Sequence, residues 1–125
     1  MKTKREIINE TAATYSSKNL SIARGKCSYR MTMKGKVRKC AVGRCLRADS
    51  VLFSARFNIN TAISSLHPNG VCLEAELKPS YRGHTQAFWG ALQGFHDDRE
   101  NWTLTGLSEK GEENKEKLLK EWGQK

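Results

Sequence analysis

The sequence predicts an α+β fold in which about four helices pack on a small antiparallel sheet built on a basic β-hairpin (25–45). Two patterns carry this prediction. Residues 26–31 alternate polar and apolar side chains, as a half-buried strand does, and residues 80–96 carry apolar side chains at helical spacing. With 125 residues, we expect a single domain, 1–125, that is large enough to bury a core.

The first predicted element is a helix at 4–17. Thr3 and Glu6 have the spacing of a capping box, in which each side chain binds the backbone N–H of the other residue. Apolar residues then follow at helical spacing, namely Ile8, Ala12 and Tyr15. One face of this helix is therefore expected in the core.

The hairpin is predicted next. Along 26–31, one face carries Cys27, Tyr29 and Met31, and the other carries Lys26, Ser28 and Arg30. Residues 33–36 contain a glycine and supply the turn, and residues 37–42 return as the second strand, which gives a hairpin with one basic face. Because an isolated hairpin is marginally stable in water, we expect residues 70–77, which also alternate, to add a third strand.

Helical segments complete the predicted fold. Asp49 or Ser50 caps a helix that runs through Ala55, a second short helix spans 60–66, and the last helix spans 108–122. The residues of the helix at 80–96 that we expect in the core are Phe88, Leu92 and Phe95.

The excess positive charge lies entirely in the first 50 residues. They carry 13 Lys or Arg against 3 Asp or Glu, whereas the whole chain has a net charge of +9. The segment 24–47 contains no acidic residue. Such an asymmetry favours an acidic partner, either nucleic acid or the acidic surface of a protein. The residues predicted to bind this partner are Arg24, Lys26, Arg30, Lys34, Lys36, Arg38, Lys39, Arg44 and Arg47.

Cys27 and Cys40 are interpreted as reduced, largely buried thiols without a metal. Structural zinc usually takes closely spaced pairs such as C-x₂-C, whereas Cys27, Cys40 and Cys45 are separated by twelve and four residues. His96 and Asp97 form a second candidate metal site, but the sequence offers few further ligands near them. We therefore predict no metal and no cofactor.

The sequence also lacks the motifs of common enzymes. It has no Gly-x-Ser-x-Gly and no glycine-rich loop that ends in Gly-Lys-Ser or Gly-Lys-Thr. The segment 1–10 has no apolar stretch typical of a secretory signal, and no apolar run is long enough to span a membrane. We expect a non-enzymatic protein of the cytoplasm.

Three segments carry a resemblance to a known group. Residues 25–30 (GKCSYR), 39–43 (KCAVG) and 92–97 (LQGFHD) contain the patterns C-x-Y, K-C-A-[IV]-G and L-Q-x-x-H-D in this order. In this respect the chain resembles short phage and prophage proteins of unassigned function. The resemblance implies a phage origin, a small accessory role and residence in the host cytoplasm. It implies no catalytic residues, and it gives a place in the framework of the hairpin to Cys27, Tyr29, Cys40 and Gly43.

These observations predict a small phage-type accessory protein that binds nucleic acid or a nucleoprotein through its basic hairpin. One alternative is an inhibitor that binds a host protein, such as an effector of a defence system, at an acidic patch on that host protein. A further alternative is a metal-dependent hydrolase that uses His96 and Asp97.

Overall fold

The structure is a computed structural model that describes residues 1–23, 26–33, 35–58 and 62–123. Its α-helices within these residues are α1 (Lys4–Thr14), α2 (Leu73–Glu76), α3 (Gln86–Asp97) and α4 (Glu109–Trp122). Its strands form antiparallel pairs: β1 (Ile22–Ala23) with β2 (Lys26–Cys27), β3 (Arg30–Met33) with β4 (Lys36–Lys39), and β5 (Trp102–Thr103) with β6 (Gly106–Leu107). The predicted α+β class is confirmed.

Side-chain caps define where the long helices begin. The capping box at α1 is confirmed, because Thr3 Oγ1 accepts from the N–H of Glu6 at 3.1 Å and Glu6 Oε1 accepts from the N–H of Thr3 at 3.0 Å. At the starts of α3 and α4, the side chains of Thr85 and Ser108 accept from the N–H groups of Phe88 and Gly111, without a reciprocal bond. No helix in the described part of the chain is both long and apolar enough to cross a membrane.

The core lies between the long helices and the segments that connect them. α4 packs against both α1 and α3. The largest fully buried apolar side chains are Ile7, Ile8, Leu46, Leu52, Leu66, Leu77, Phe88, Trp89 and Leu92. The predicted burial of Phe88, Leu92 and Phe95 is confirmed.

The hairpin is shorter than predicted. β3 begins at Arg30 and β4 ends at Lys39, and the predicted turn is confirmed because Met33 pairs with Lys36 around Gly35, whose φ is +77°. Alternation fails before β3, where Ser28 and Tyr29 are both buried. The chain leaves β4 at the close approach of Gly43 to the backbone of Tyr29, where a Cβ on Gly43 would lie 2.0 Å from the carbonyl oxygen.

The predicted third strand at 70–77 is wrong, because this segment forms the short helix α2. Val71, Leu73 and Leu77 are buried, whereas Ala75, which alternation would also bury, is exposed. Leu73 and Leu77 are four residues apart, a spacing that places both on one side of a helical turn. Leu77 forms an isolated antiparallel bridge with Leu46, so it contacts the chain after the hairpin rather than the hairpin itself.

The other predicted helices in the middle of the chain are single 3₁₀ turns. Val51–Phe53 replaces the helix through Ala55. Within the described part of the segment 60–66, which is 62–66, only Ile63–Ser65 is a 3₁₀ turn. Residues 80–84 do not continue into α3, since Gly83 has a φ of +97°. These corrections leave the hairpin β3–β4 as the longest stretch of paired strands in the described residues.

Candidate nucleic-acid interface

The hairpin β3–β4 presents positive charge on both of its faces. The register pairs Arg30 with Lys39 and Met31 with Arg38. Because side chains alternate along a strand, Arg30 and Lys39 share one face, and Lys36 and Arg38 share the other. Arg30 and Lys36 are exposed, whereas Arg38 and Lys39 are half-buried. The prediction of a single basic face is therefore wrong.

An aromatic ring supports the first face. The guanidinium of Arg30 lies 4.5 Å from the centroid of the Phe53 ring, and the ammonium of Lys39 lies 5.5 Å from it. Each such contact contributes on the order of 0.5–1 kcal/mol at an exposed site. The ring therefore offsets part of the repulsion between two like charges that the register places opposite each other.

Asn58 fixes the backbone under the same face. Its Oδ1 accepts from the N–H of Arg30 at 2.8 Å, and its Nδ2 donates to the carbonyl of Arg30 at 2.7 Å. The N–H of Tyr29 donates to the carbonyl of Asn58 at 3.0 Å. These bonds hold β3 against the segment that carries Phe53.

Within the described residues, the cations of the hairpin have no ion-pair partner. None of the ion pairs between described side chains involves Arg30, Lys36, Arg38 or Lys39. The glutamates of α2, which the predicted third strand would have brought to the hairpin, bind elsewhere. Glu74 accepts from the N–H of Gly83, and Glu76 accepts from Ser50 and from the N–H of Val51. The charge of the hairpin is therefore not compensated by these carboxylates.

Arg44 occupies a different environment from the cations of the hairpin. Its Nη1 donates to Glu10 at 2.6 Å and to Tyr81 Oη at 3.2 Å, and its Nη2 donates to Thr11 Oγ1 at 3.1 Å. Tyr81 Oη donates to Glu10 at 2.5 Å, and Lys2 binds the second oxygen of the same carboxylate. We call these side chains the Glu10 cluster. The side chain of Arg44 is 19% exposed and thus largely internal.

The Glu10 cluster strongly perturbs the acidity of its carboxyl group. Burial alone would raise the pKa of Glu10, but the hydrogen bonds from Lys2, Tyr81 and Arg44 outweigh it and lower the pKa to about 2. The pKa of Arg44 is raised despite its burial, because charged and polar neighbours, including Glu10, stabilise the cation. The cluster therefore joins α1 to the 3₁₀ turn at Gly43–Cys45 through an ion pair and to the turn at Pro79–Tyr81 through a hydrogen bond from a neutral phenol.

Of the remaining predicted binding residues, the structure describes the side chain of Arg47 but not those of Arg24, Lys26 and Lys34. Arg47 binds Asp49 through two parallel hydrogen bonds of 3.1 Å, so its charge has an acidic partner. Arg24 and Lys34 lie outside the described residues. Lys26 belongs to β2, but its side chain lies outside the described part as well.

His96 and Asp97 are bound into the interior at the end of α3. The Nδ1 of His96 donates to Asp97 at 2.7 Å, and the same carboxylate accepts from Gln93 Nε2 at 2.8 Å. His96 is fully buried, and its backbone carbonyl accepts from Trp102 Nε1 at 3.0 Å. Gln93 Oε1 also accepts from the N–H of Val42, so the segments 92–97 and 39–43 contact each other in the fold.

Metal-binding geometry is not found in the described part of the chain. No three His, Cys, Asp or Glu side chains there are arranged to hold a metal ion. Cys40 and Cys45 are buried thiols, and burial raises the pKa of Cys45 to about 12, which keeps it protonated at neutral pH. Cys72 is an exposed free thiol, and the side chain of Cys27 lies outside the described residues.

Two contributors to the site were missed by sequence analysis. Phe53 was expected in a helix and Asn58 was given no role, yet they support the side chain and the backbone of Arg30. Both lie more than twenty residues from Arg30 in the sequence, and no local pattern indicates that they meet. Comparisons with protein-family models, with curated proteins and with solved structures found no match to the chain.

Proposed function

We propose that the protein is a small non-enzymatic accessory protein of phage type that binds nucleic acid or a nucleoprotein through the hairpin β3–β4. The observation that carries the proposal is the set of cations on the hairpin, Arg30, Lys36, Arg38 and Lys39, none of which has an ion-pair partner among the described side chains. Uncompensated cations on a two-stranded ribbon can bind the phosphates of a nucleic acid.

The distribution of charge over both faces favours insertion into a groove. A two-stranded ribbon fits the major groove of B-DNA, whose two walls are lined by phosphates. Arg30 and Lys39 would then face one wall, and Lys36 and Arg38 would face the other. The major groove of duplex RNA is too deep and narrow for such a ribbon, so we expect duplex DNA to bind more tightly than duplex RNA.

The contacts available are electrostatic rather than base-specific. The cations of the hairpin can reach phosphates, but the hairpin presents no exposed aromatic side chain on which single-stranded bases could stack within its described residues. We therefore expect weak dependence on sequence and strong dependence on salt.

Charge reversal with a matched control tests the proposal. The triple variant Arg30→Glu, Lys36→Glu, Arg38→Glu changes the net charge by three times −2, from +9 to +3. The control variant Arg5→Glu, Lys117→Glu, Lys120→Glu makes the same change at three exposed cations around another cleft, between α1 and α4. Binding of labelled random-sequence duplex DNA and duplex RNA is followed by fluorescence anisotropy.

The proposal predicts that the hairpin variant loses at least about 100-fold in affinity, because several phosphate contacts are lost together. The control variant should lose no more than about threefold in affinity, because its lower net charge weakens the long-range electrostatic attraction to nucleic acid. Equal losses in the two variants would contradict a site on the hairpin. Absence of DNA and RNA binding by the wild type at low salt would contradict the function itself.

A further inference from the structure

The two outer edges of the hairpin differ in how their backbone groups are used. The N–H of Cys40 donates to the carbonyl of Tyr29 at 3.4 Å, which gives residues 29 and 40 the parity of a hydrogen-bonded pair, although the N–H of Tyr29 donates to Asn58 instead. Paired residues in an antiparallel ladder alternate between hydrogen-bonded and non-hydrogen-bonded. Two pairs are therefore non-hydrogen-bonded, and their N–H and C=O groups point away from the partner strand. These pairs are Arg30 with Lys39 and Thr32 with Val37.

Side chains from elsewhere confirm this alternation. Asn58 binds both the N–H and the carbonyl of Arg30 at the outer edge of β3, and Tyr15 Oη donates to the carbonyl of Lys39 at 2.6 Å at the outer edge of β4. Val37 lies two residues before Lys39, so its N–H and carbonyl point to the same outer edge, and the residue is 61% exposed. Along β4, the N–H and carbonyl of Val37 and the N–H of Lys39 thus point outward without a partner among the described residues.

This open edge borders a cleft of about 410 Å³. One wall is β4, from Val37 to Lys39, and the other is the end of α1, with Thr14 and Tyr15. Arg38, Lys39 and Arg44 line the cleft, and no acidic residue is among its described lining residues. The cleft therefore combines an unpaired strand edge with positive charge.

The order of polar groups along the edge distinguishes between two anionic occupants. N–H, C=O and N–H follow one another over about 7 Å of strand, which is the pattern that another extended backbone pairs with. A phosphate group accepts hydrogen bonds only, and the carbonyl of Val37 between the two donors would repel it. The edge consequently fits a peptide strand better than it fits a phosphate.

We propose that the outer edge of β4 adds an extended, acidic peptide segment of a partner protein as a further antiparallel or parallel strand. Alternating carboxylates on this segment lie on one face of the enlarged sheet, where they would meet Lys36 and Arg38. Main-chain hydrogen bonds to Val37 hold the segment, and the charges select an acidic sequence. The inference does not rest on the proposed binding of nucleic acid.

A backbone-modified peptide provides the test on the wild-type protein. The probe is a fluorescently labelled peptide, acetyl-Glu-Val-Glu-Val-Glu-Val-Glu-amide, and its comparison peptide carries N-methyl groups on every amide. N-methylation keeps the charge and removes the hydrogen-bond donors that strand addition requires. We expect the unmodified peptide to bind and the methylated one to bind at least about tenfold more weakly, which corresponds to about 1.4 kcal/mol.

The substitution Val37→Pro tests the same edge from the protein side. Proline removes only an N–H that the hairpin does not use, and it is tolerated at edge positions whose N–H faces solvent. We expect Val37→Pro to weaken peptide binding at least about tenfold, while the control Val37→Thr keeps the wild-type affinity within about twofold. Because Val37→Pro retains all the cations, its affinity for duplex DNA should equal that of the wild type.

Several outcomes would overturn the inference. The first is no binding of the unmodified peptide, and the second is equal affinity for the methylated peptide, which would mean that charge alone is recognised. The third is a loss of DNA affinity in folded Val37→Pro as large as the loss of peptide affinity, which would assign the edge to nucleic acid. Should Val37→Pro fail to fold, the comparison of the two peptides on the wild type decides alone.

Discussion

The Glu10 cluster makes a stability prediction that can be worked out from the structure. Glu10→Gln keeps the size of the side chain but removes the negative charge that Arg44 Nη1, Tyr81 Oη and Lys2 Nζ all contact. Arg44 is only 19% exposed, so its guanidinium would lose its anionic partner where water can only partly replace it. We expect the variant to be less stable than the wild type.

The pKa of Glu10 gives the magnitude. Its hydrogen bonds lower the pKa from 4.5 to about 2, and at 1.36 kcal/mol per pKa unit this difference corresponds to about 3 kcal/mol. The carboxyl side chain is still 27% exposed, and screening by solvent lowers the expected contribution to about 2 kcal/mol at neutral pH.

The pH dependence has a defined direction. Because the folded pKa of Glu10 lies below its unfolded value of 4.5, the carboxylate stabilises the folded protein fully above about pH 4.5. This contribution is lost as the pH falls from about 4.5 towards 2, where the unfolded and then the folded carboxyl become protonated. The difference in stability between the wild type and Glu10→Gln should therefore shrink over this range.

Urea denaturation followed by tryptophan fluorescence at several pH values measures the effect. Glu113→Gln, an exposed substitution of the same kind on α4, serves as the control and should change the free energy of unfolding by no more than about 0.5 kcal/mol. Equal stability of Glu10→Gln and the wild type at pH 7 would refute the reasoning. So would a difference that stays constant down to pH 3.

The remaining predictions concern packing. Gly43→Ala should destabilise by several kcal/mol in thermal melts, because its Cβ would lie 2.0 Å from the carbonyl oxygen of Tyr29. Gly90→Ala has open space around it and should be neutral or stabilising by up to about 1 kcal/mol in the same melts. Cys40→Ser should cost about 1–3 kcal/mol, since it replaces a buried thiol, whose sulfur accepts from the N–H of Gly43, by a more polar hydroxyl, and unchanged stability would contradict this. His96→Ala should lower the melting temperature but leave DNA affinity unchanged; a selective loss of affinity in the folded variant would give His96 a functional role.

Elements that local chemistry specifies could be predicted from the sequence. Helix caps and tight turns depend on only a few neighbouring residues. The residue types around Thr3, Ser108 and Gly35 are therefore enough to locate the starts of α1 and α4 and the tip of the hairpin. The segment 70–77 shows the opposite case. Leu73 and Leu77 satisfy both the alternation of a strand and the i, i+4 spacing of a helix. The segment is helical in the fold, and Leu77 pairs with the distant residue Leu46.

The electrostatic roles within the basic segment depend on distant residues. Arg44 has the same charge as its neighbours in sequence, but its partner Glu10 lies 34 residues away along the chain and is joined in turn by Tyr81. Arg30 likewise acquires Phe53 and Asn58 only through the fold. The sequence could therefore locate the region of excess charge, but it could not separate the cations that stabilise the fold from those left without an acidic partner.

The salt dependence of DNA binding tests the central claim most directly. The slope of log K against log salt concentration is measured for three proteins. They are the wild type, the hairpin variant Arg30→Glu, Lys36→Glu, Arg38→Glu and the control variant Arg5→Glu, Lys117→Glu, Lys120→Glu. Each phosphate contact contributes about −0.9 to this slope on B-DNA, so the hairpin variant should have a slope shallower by about 2–3, while the control keeps the slope of the wild type. Equal slopes for the hairpin variant and the wild type would contradict binding of phosphates by the hairpin.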